Sequence, residues 1–499
     1  MSAYLTTLGE LLDGMHELDT GIQAIKVRGL ALDSRRLQRD EVFIAVQGGA
    51  AHGLDFLDSI LDKQVAAIIF EPSEQYPENF TSTVPMIAVE GLGQKVSDIA
   101  ARFYAHPSED LGVIAITGTN GKTTCAYLLT QLLTNLEKDA AMIGTLGAGR
   151  LDEIQESGLT TPDAISVQAL LAEFRDRGIE YVVMEASSHA LHQHRLAAVK
   201  IDVAAFTNLS QDHLDYHADM HAYLAAKAQL FNFPSLATGV LNADDKVFRK
   251  LQSLMPAKLK TINFSLQASG SATVSASAIQ SDARKTEFTL SLNNKNYFVQ
   301  SPLLGEFNVA NLLLVISVMT ALNFDPEAIV AQIKQLSAPK GRLQRMGNLE
   351  TPTVVIDYAH TPDALEKALQ TLKPLSQDKL AAVFGCGGDR DKSKRPVMGM
   401  IAANLADQIY LTDDNPRTEA SEDIIADIQN GIREQIEVRI IPDRAKAIRQ
   451  SIHAASAQDI VLIAGKGHET YQIIGSTKHD FSDELHAQSA LDVWPELSA

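Results

Sequence analysis

The chain has 499 residues, 45% hydrophobic and 21% charged, which is ordinary globular composition and enough for about three domains. Lys and Arg number 43 against 62 Asp and Glu, a formal charge of −19, so nucleic acid and anionic membranes are repelled and any anionic substrate must be held by local cations. Two cysteines, Cys125 and Cys386, exclude a disulfide scaffold and a cysteine-built zinc site and fit a reducing compartment.

Met1–Met15 has neither a basic n-region nor a long apolar core, and no apolar run approaches the ~18 residues of a membrane span. A cytoplasmic, monomeric protein with small-molecule partners is expected, binding neither nucleic acid nor membrane. Up to Pro107, short apolar runs (Val42–Val46, Val65–Phe70) alternate with a helical stretch near Val96–Tyr104, which suits a small α/β domain. His106-Pro107 breaks that helix and marks a boundary. From Ser108 to Ser337 a β-branched run, a polar loop and a helical pattern recur, with strands predicted at Val113–Ile116, Tyr181–Met184 and Val203–Phe206. Continuous apolar runs of this kind suit a parallel sheet buried on both faces. Gln267–Ser277 is rich in Ser and Ala, and Phe288–Leu292, Asn293-Asn294 and Tyr297–Val299 read as a hairpin. From Ala338 the α/β pattern resumes, with strands predicted at Val354–Ile356, Leu380–Phe384, Gln408–Leu411 and Ile460–Ala464 and a helix over Ala364–Leu372.

The strongest chemical signal is Gly118-Thr119-Asn120-Gly121-Lys122-Thr123-Thr124, between a strand and an apolar helix running to Leu136. Small glycines let backbone N–H groups turn onto phosphate, and the helix N-terminus adds partial positive charge. Lys122 can reach the β- and γ-phosphates of a nucleotide and the Thr123 hydroxyl suits Mg²⁺. The usual G-x-x-x-x-G-K-[ST] pattern puts glycine at position 116, where Ile116 stands, so this loop is a shortened variant. Glu185, directly after a predicted strand, can hold Mg²⁺ through oxygen or serve a helix N-terminus. His213, in Thr207–His217, is a candidate ligand, although a lone histidine is commonly an ordinary surface or core residue. Lys227 sits in a helix poor in charge, and its residues alone favour a snorkelling lysine.

In the last segment each predicted strand ends in a polar loop: Asp357–Asp363, Gly385–Arg390, Asp413–Arg417 and Gly465–Glu469. Strands of a parallel sheet end on one edge, so these loops converge on a rim. Arginines pair carboxylates and acidic groups hold amines, so the rim suits a zwitterion. The predicted fold is therefore α/β with three domains: a small N-terminal domain (1–107), a central P-loop ATPase-like parallel-sheet domain (108–337) and a C-terminal Rossmann-like domain (338–499).

These motifs, Gly118–Thr124, Glu185–His189, Thr207–His217, Gly305-Glu306-Phe307-Asn308 with Asn311, Gly341-Arg342 and Asp357–Asp363, together resemble the Mur ligases of bacterial peptidoglycan synthesis. Asp414-Asn415-Pro416-Arg417 is similar to the motif of the branch that adds meso-2,6-diaminopimelate, whereas the lysine-adding branch lacks the arginine. Diaminopimelate carries a second carboxylate, which a guanidinium can bind. The resemblance implies that Leu32, Ser34, Gly49, Ala50 and Ala51 contact the uridine part of UDP-N-acetylmuramoyl-L-alanyl-D-glutamate. Thr160, Thr161, Ser187, Gln193 and Arg195 would hold its sugar and peptide. Ala50 and its neighbours replace the polar loop of some relatives, leaving mainly backbone contacts. Lys227 matches the family's carbamylated lysine (N6-carboxylysine), a carbamate that binds a second Mg²⁺ with His213, and this displaces the snorkelling reading. Asn308 and Arg342 would meet ATP. Arg390, Asp414, Asn415, Pro416, Arg417, Gly465 and Glu469 would bind diaminopimelate.

The implied activity is ATP-dependent amide ligation through an acyl phosphate, with Lys122, Lys227, His213 and Glu185 at the reacting centre. Lys122 and the metals stabilise charge where two anions meet. His360 and nearby carboxylates are the candidate acceptors of the amine proton, with no choice between them. Competing expectations are an L-lysine-adding ligase, a folylpolyglutamate synthase, and a nucleotide-driven switch that performs no ligation.

Overall fold

Side chains of a strand alternate between faces, so a strand that is apolar throughout must be covered on both. The computed structural model shows this three times over. It describes residues 4–49, 51–156, 158–212, 216–267, 272–348, 350–432 and 436–494. The chain divides into two compact units, Met1–Val274 with Leu313–Ile329, and Ser275–Leu312 with Val330–Ala499.

Besides the short antiparallel pair Thr6–Thr7/Lys26–Val27, the first unit holds two mainly parallel sheets. In the smaller, Leu30–Ala31, Val42–Ala45, Ala67–Phe70 and Met86–Ala88 pair in parallel in that order. Val42, Ile44 and Ile69 pack on one side with Leu8, Leu11 and Ile99, while Phe43, Ala45, Ile68 and Phe70 pack on the other with Leu54 and Ile60. The predicted helix is Leu92–Phe103, and Ala105 and His106, both at positive φ, end it before Pro107. The larger sheet runs Lys260–Ser265, Thr238–Asn242, Val203–Phe206, Gly112–Thr117, Tyr181–Glu185, Ala140–Gly144, all parallel, with Gly147–Gly149 antiparallel at the edge. From Gly112–Thr117 the chain next enters the sheet on one side, and from Val203–Phe206 on the other. The carboxyl ends of these neighbours therefore bracket a topological switch point, where such sheets bind ligands.

In the second unit, Thr286–Leu292 and Lys295–Ser301 form the predicted hairpin. Asn293 and Asn294 both have positive φ, the conformation a two-residue hairpin turn needs. The sheet order is Gln344–Met346, Thr353–Asp357, Ile460–Ala464, Leu380–Phe384, Gln408–Leu411, Glu437–Ile440, with only Gln344–Met346 antiparallel. Helices Pro362–Leu372, Lys394–Leu405, Ser421–Gln429, Arg444–Ala454 and Asp483–Asp492 accompany it. No helix among the described residues is long and apolar enough to cross a membrane.

Arg444 and Asp483 open two of these helices and are fully buried, joined by Nε–Oδ1 and Nη2–Oδ2 contacts of 2.7 Å. Arg444 also donates to the carbonyls of Ala464 (3.0 Å) and Asp413 (3.3 Å), tying both helices to the strand ends that carry the rim. Asp483→Ala leaves the guanidinium buried without its carboxylate and is expected to cost about 3–5 kcal/mol. An unchanged urea midpoint would show that the pair holds nothing.

Candidate active site

In the first unit, Gly118 and Gly121 adopt φ of 144° and 84°, which bends the loop between Gly112–Thr117 and the helix Lys122–Asn135. A Cβ on Gly118 would overlap Thr207 Oγ1. The neighbouring strand end braces this turn. Thr119 N donates to Asn208 O at 2.8 Å, Asn120 N to Asn208 Oδ1 at 3.0 Å and Thr207 Oγ1 to Asn120 O at 2.7 Å. Lys122 Nζ lies back over the loop, 3.0 Å from Gly118 O and 2.9 Å from Thr119 O.

Glu185 ends its strand fully buried. Oε2 accepts from Thr123 Oγ1 at 3.0 Å and Oε1 from Thr145 N at 2.8 Å. Burial raises its pKa, against the opposing pull of Lys122 and of these donors. A Cβ on Gly144 would overlap Glu185 Oε1, so that glycine makes the carboxylate's room. Lys227 lies in the helix Met220–Ala228 and is 1% exposed, so it does not snorkel. Its Nζ donates to Gly118 O at 2.8 Å and stands 4.3 Å from the Tyr223 ring centre. Burial, and then the charge of Lys122, hold its pKa well below the ordinary lysine value. Lys122, Thr123, Glu185 and Lys227 thus surround one turn of backbone. His213 lies outside the described residues.

The residues expected to hold the sugar and peptide converge beside Glu185. Thr161 Oγ1 donates to Glu185 O at 2.7 Å and accepts from Ser187 N at 3.1 Å. Arg195 Nη1 donates to Thr161 O at 2.6 Å, and its Nε and Nη2 reach Gln193 Oε1 at 3.0 and 2.6 Å. Thr160 Oγ1 is 3.1 Å from Thr145 Oγ1. Leu32 and Ser34 follow Leu30–Ala31, and Gly49 and Ala51 follow the adjacent Val42–Ala45, so parallel pairing brings both loops to one sheet edge. Gly48 N donates to Ala51 O at 2.9 Å, while Ala50 lies outside the described residues.

In the second unit, Asn308 is buried at the start of the helix Glu306–Ala321, its Nδ2 donating to Leu304 O at 2.8 Å and its Oδ1 accepting from Asn311 at 3.0 Å. Arg342 lies 5.0 Å from the Tyr358 ring centre, and its buried Nε has no partner among the described residues. His360 is exposed, with Nδ1 2.8 Å from Tyr358 O.

On the rim, Arg417 takes a left-handed φ of 51°, strained for a long side chain. Pairing to the hairpin Tyr471–Ile474/Thr477–Asp480 holds it there: Arg417 N donates to Ile473 O at 3.1 Å and Gly475 N to Arg417 O at 2.7 Å. Its Nη1 donates to Gly388 O at 2.8 Å. A Cβ on Gly387 would lie 2.9 Å from Arg417 Nη1 and 3.6 Å from Arg390 Cγ, so the two arginines flank that glycine. Pro416 turns its carbonyl toward Gly388. Asp414 is buried, its carboxylate against Gly465, and burial raises its pKa against the pull of Arg444 and Lys466. Asn415 Nδ2 donates to Glu469 Oε2 at 3.1 Å. Every rim residue named from the sequence is thus on one sheet edge, with Arg390 exposed on its own loop.

Two further residues join the site without a sequence signal, Thr145 and Tyr216; the Tyr216 hydroxyl accepts from Gln193 Nε2 at 3.1 Å and lies 2.9 Å from His192 Nδ1. Thr145 was findable only by reading Ala-Ala-Met-Ile-Gly as a strand. Tyr216 sits inside a motif already singled out, without any spacing to mark it.

Family models match most of the chain: Mur ligase family, catalytic domain (26–104), Mur ligase middle domain (116–319) and Mur ligase, glutamate ligase domain (341–467). A curated UDP-N-acetylmuramoyl-L-alanyl-D-glutamate--2,6-diaminopimelate ligase of Pseudomonas aeruginosa is 45% identical over 468 residues, 94% of this chain and 96% of the relative. The protein of the same description from Coxiella burnetii is 42% identical over 487 residues, 97% and 99% of the two chains. A solved structure of a ligase so described matches with a TM-score of 0.75 at 35% identity, covering 98% of this chain and 99% of that one. With this coverage, and with the phosphate loop, the buried Glu185 and the polar rim in place, the chain belongs to the Mur ligase family.

Proposed function

We propose that this chain is the ATP-dependent ligase that joins meso-2,6-diaminopimelate to the D-glutamate γ-carboxylate of UDP-N-acetylmuramoyl-L-alanyl-D-glutamate, as a cytoplasmic monomer in peptidoglycan precursor synthesis. The observation that carries the choice of amino acid is Arg417, held in a left-handed conformation with its guanidinium beside Arg390 on the rim. The proposal divides the chain at 107 and 337. The first domain takes the uridine end, the second the sugar, peptide and ATP, and the third the amino acid.

The γ-carboxylate oxygen attacks the γ-phosphorus, the bond to the bridging oxygen breaks, and ADP leaves an acyl phosphate. The neutral amine then attacks the acyl carbon, phosphate departs and the amide nitrogen loses a proton. Lys122 and the N-terminus of its helix stabilise phosphate charge, Arg195 and Gln193 orient the peptide whose carboxylate accepts the phosphoryl group, and Asn308 and Arg342 bind the nucleotide. Thr123 and Glu185 offer hard oxygen donors, and a dication would offset the burial that disfavours the ionised carboxylate, so these residues fit Mg²⁺. When bound, Mg²⁺ neutralises phosphate charge. The lowered pKa of Lys227 supplies a neutral amine, which can add CO₂ to give a carbamate and a proton. His213 completes the proposed metal set.

The test is phosphate release with ATP, Mg²⁺ and the UDP-muramoyl dipeptide, comparing meso-diaminopimelate with L-lysine. Release with diaminopimelate alone is expected. Release with lysine would make this the lysine-adding ligase, and release with neither would return the nucleotide switch. Arg417→Ala is expected to raise KM for diaminopimelate about tenfold to a hundredfold, the loss of a charge-assisted pair, without improving or worsening turnover of lysine. Equal losses on both amino acids would refute the selectivity role.

A further inference from the structure

Lys466 follows the strand Ile460–Ala464, and its side chain is wholly buried although it lies in a glycine-flanked loop. Its Nζ donates to Glu469 Oε2 at 2.9 Å and to Asn415 Oδ1 at 3.1 Å. Asn415 Nδ2 donates to the same Glu469 Oε2, and Asn415 Oδ1 also accepts from Ile473 N at 2.9 Å. The three side chains form a closed triangle. Within it Glu469 spends one oxygen on both donors, and Oε1 accepts no hydrogen bond from any described residue. The amide of Asn415 is likewise pinned, with Oδ1 toward the two donors and Nδ2 toward the carboxylate.

Burying an ammonium costs desolvation and the rotamer freedom of a long side chain, and an apolar residue fills such a position more cheaply. A carboxylate that must present one oxygen to a ligand gains from having the other immobilised, because the ligand then meets a preset geometry. We propose that Lys466 is a positioning residue of the amino-acid site, fixing Glu469 and Asn415 so that Glu469 Oε1 faces the ammonium of the incoming amino acid. This rests on the reading of the rim as the diaminopimelate site.

The test compares Lys466→Met, Glu469→Gln and the double variant by steady-state phosphate release, varying diaminopimelate, ATP and the UDP-muramoyl dipeptide in turn. Lys466→Gln, which retains a shorter donor, replaces Lys466→Met if that variant does not fold. Lys466→Met is expected to raise KM for diaminopimelate about tenfold or more, while kcat and the other two KM values stay within about threefold. In the Glu469→Gln background the same substitution should add less than about threefold, because it acts through Glu469. A fall in kcat with all three KM values unchanged would overturn the proposal, as would a full tenfold rise in the Glu469→Gln background. If Glu469→Gln alone left KM for diaminopimelate unchanged, the reading of the rim would fail and the inference with it.

Discussion

Lys122→Ala is expected to lower kcat by about a thousandfold or more, the scale on which removing a preorganised charge from a reacting centre acts. The reason is electrostatic. A carboxylate must approach a triphosphate in a protein whose formal charge is −19, so the cation at the loop carries a disproportionate share of the work. Lys122 Nζ bonds to the carbonyls of Gly118 and Thr119, while the loop is independently braced by Thr207 and Asn208. The fold should therefore survive. Phosphate release, read beside circular dichroism and a thermal melt, separates the outcomes. Turnover near the parent rate in a folded variant would remove the loop from the chemistry.

Lys227→Met should have an effect of similar size, about a thousandfold on kcat, for a different reason. The parent amine is buried with its pKa held well below 10.5. Between that lowered value and 10.5 the unfolded chain binds the proton and the folded chain does not, so this group's contribution to stability rises with pH across the window. At neutral pH the lysine is therefore a burden on the unmodified fold, and methionine, of similar length and uncharged, should not lower the thermal midpoint. Activity should depend on dissolved CO₂. Degassed enzyme should lose turnover, bicarbonate should restore it, and restoration should fail as pH falls through the lowered amine pKa, where the amine is protonated. A carbamate carbon signal from ¹³C-labelled bicarbonate, absent in Lys227→Met, reports the adduct directly. Full activity in Lys227→Met would end the carbamate reading.

Legibility followed residue chemistry. Gly112–Thr117 was readable because β-branched residues fill it and glycine ends it, and Asn293-Asn294 because both residues tolerate positive φ. Ala140–Gly144 was passed over because Ala, Met and Gly carry little strand preference, and it is a strand only because the sheet buries it completely. The edge strand Glu437–Ile440 alternates polar with apolar residues yet buries none of them, and the hairpin Tyr471–Ile474/Thr477–Asp480 joins a half-buried apolar strand to an exposed polar one, so neither has a buried face that sets a strand pattern apart. That hairpin nevertheless sets Arg417 in place through backbone hydrogen bonds, which leave no mark on side-chain identity.

By itself, the sequence determined the chemistry available. It specified a phosphate loop with its lysine, a carboxylate at a strand end, and polar loops at the ends of parallel strands, since each is a local pattern of residue types. Only the tertiary structure decided which groups meet and what state they hold. Lys227 reads as a solvated helix lysine until the helix Met220–Ala228 is laid against Gly118, and Lys466 reads as loop polarity until its stem is buried between Asn415 and Glu469. The physical reason is that burial and the hydrogen bonds that satisfy a buried ammonium depend on neighbours far apart in the chain, 109 positions for Lys227 with Gly118 and 51 for Lys466 with Asn415. No local pattern encodes a desolvation cost or a hydrogen bond made at that separation.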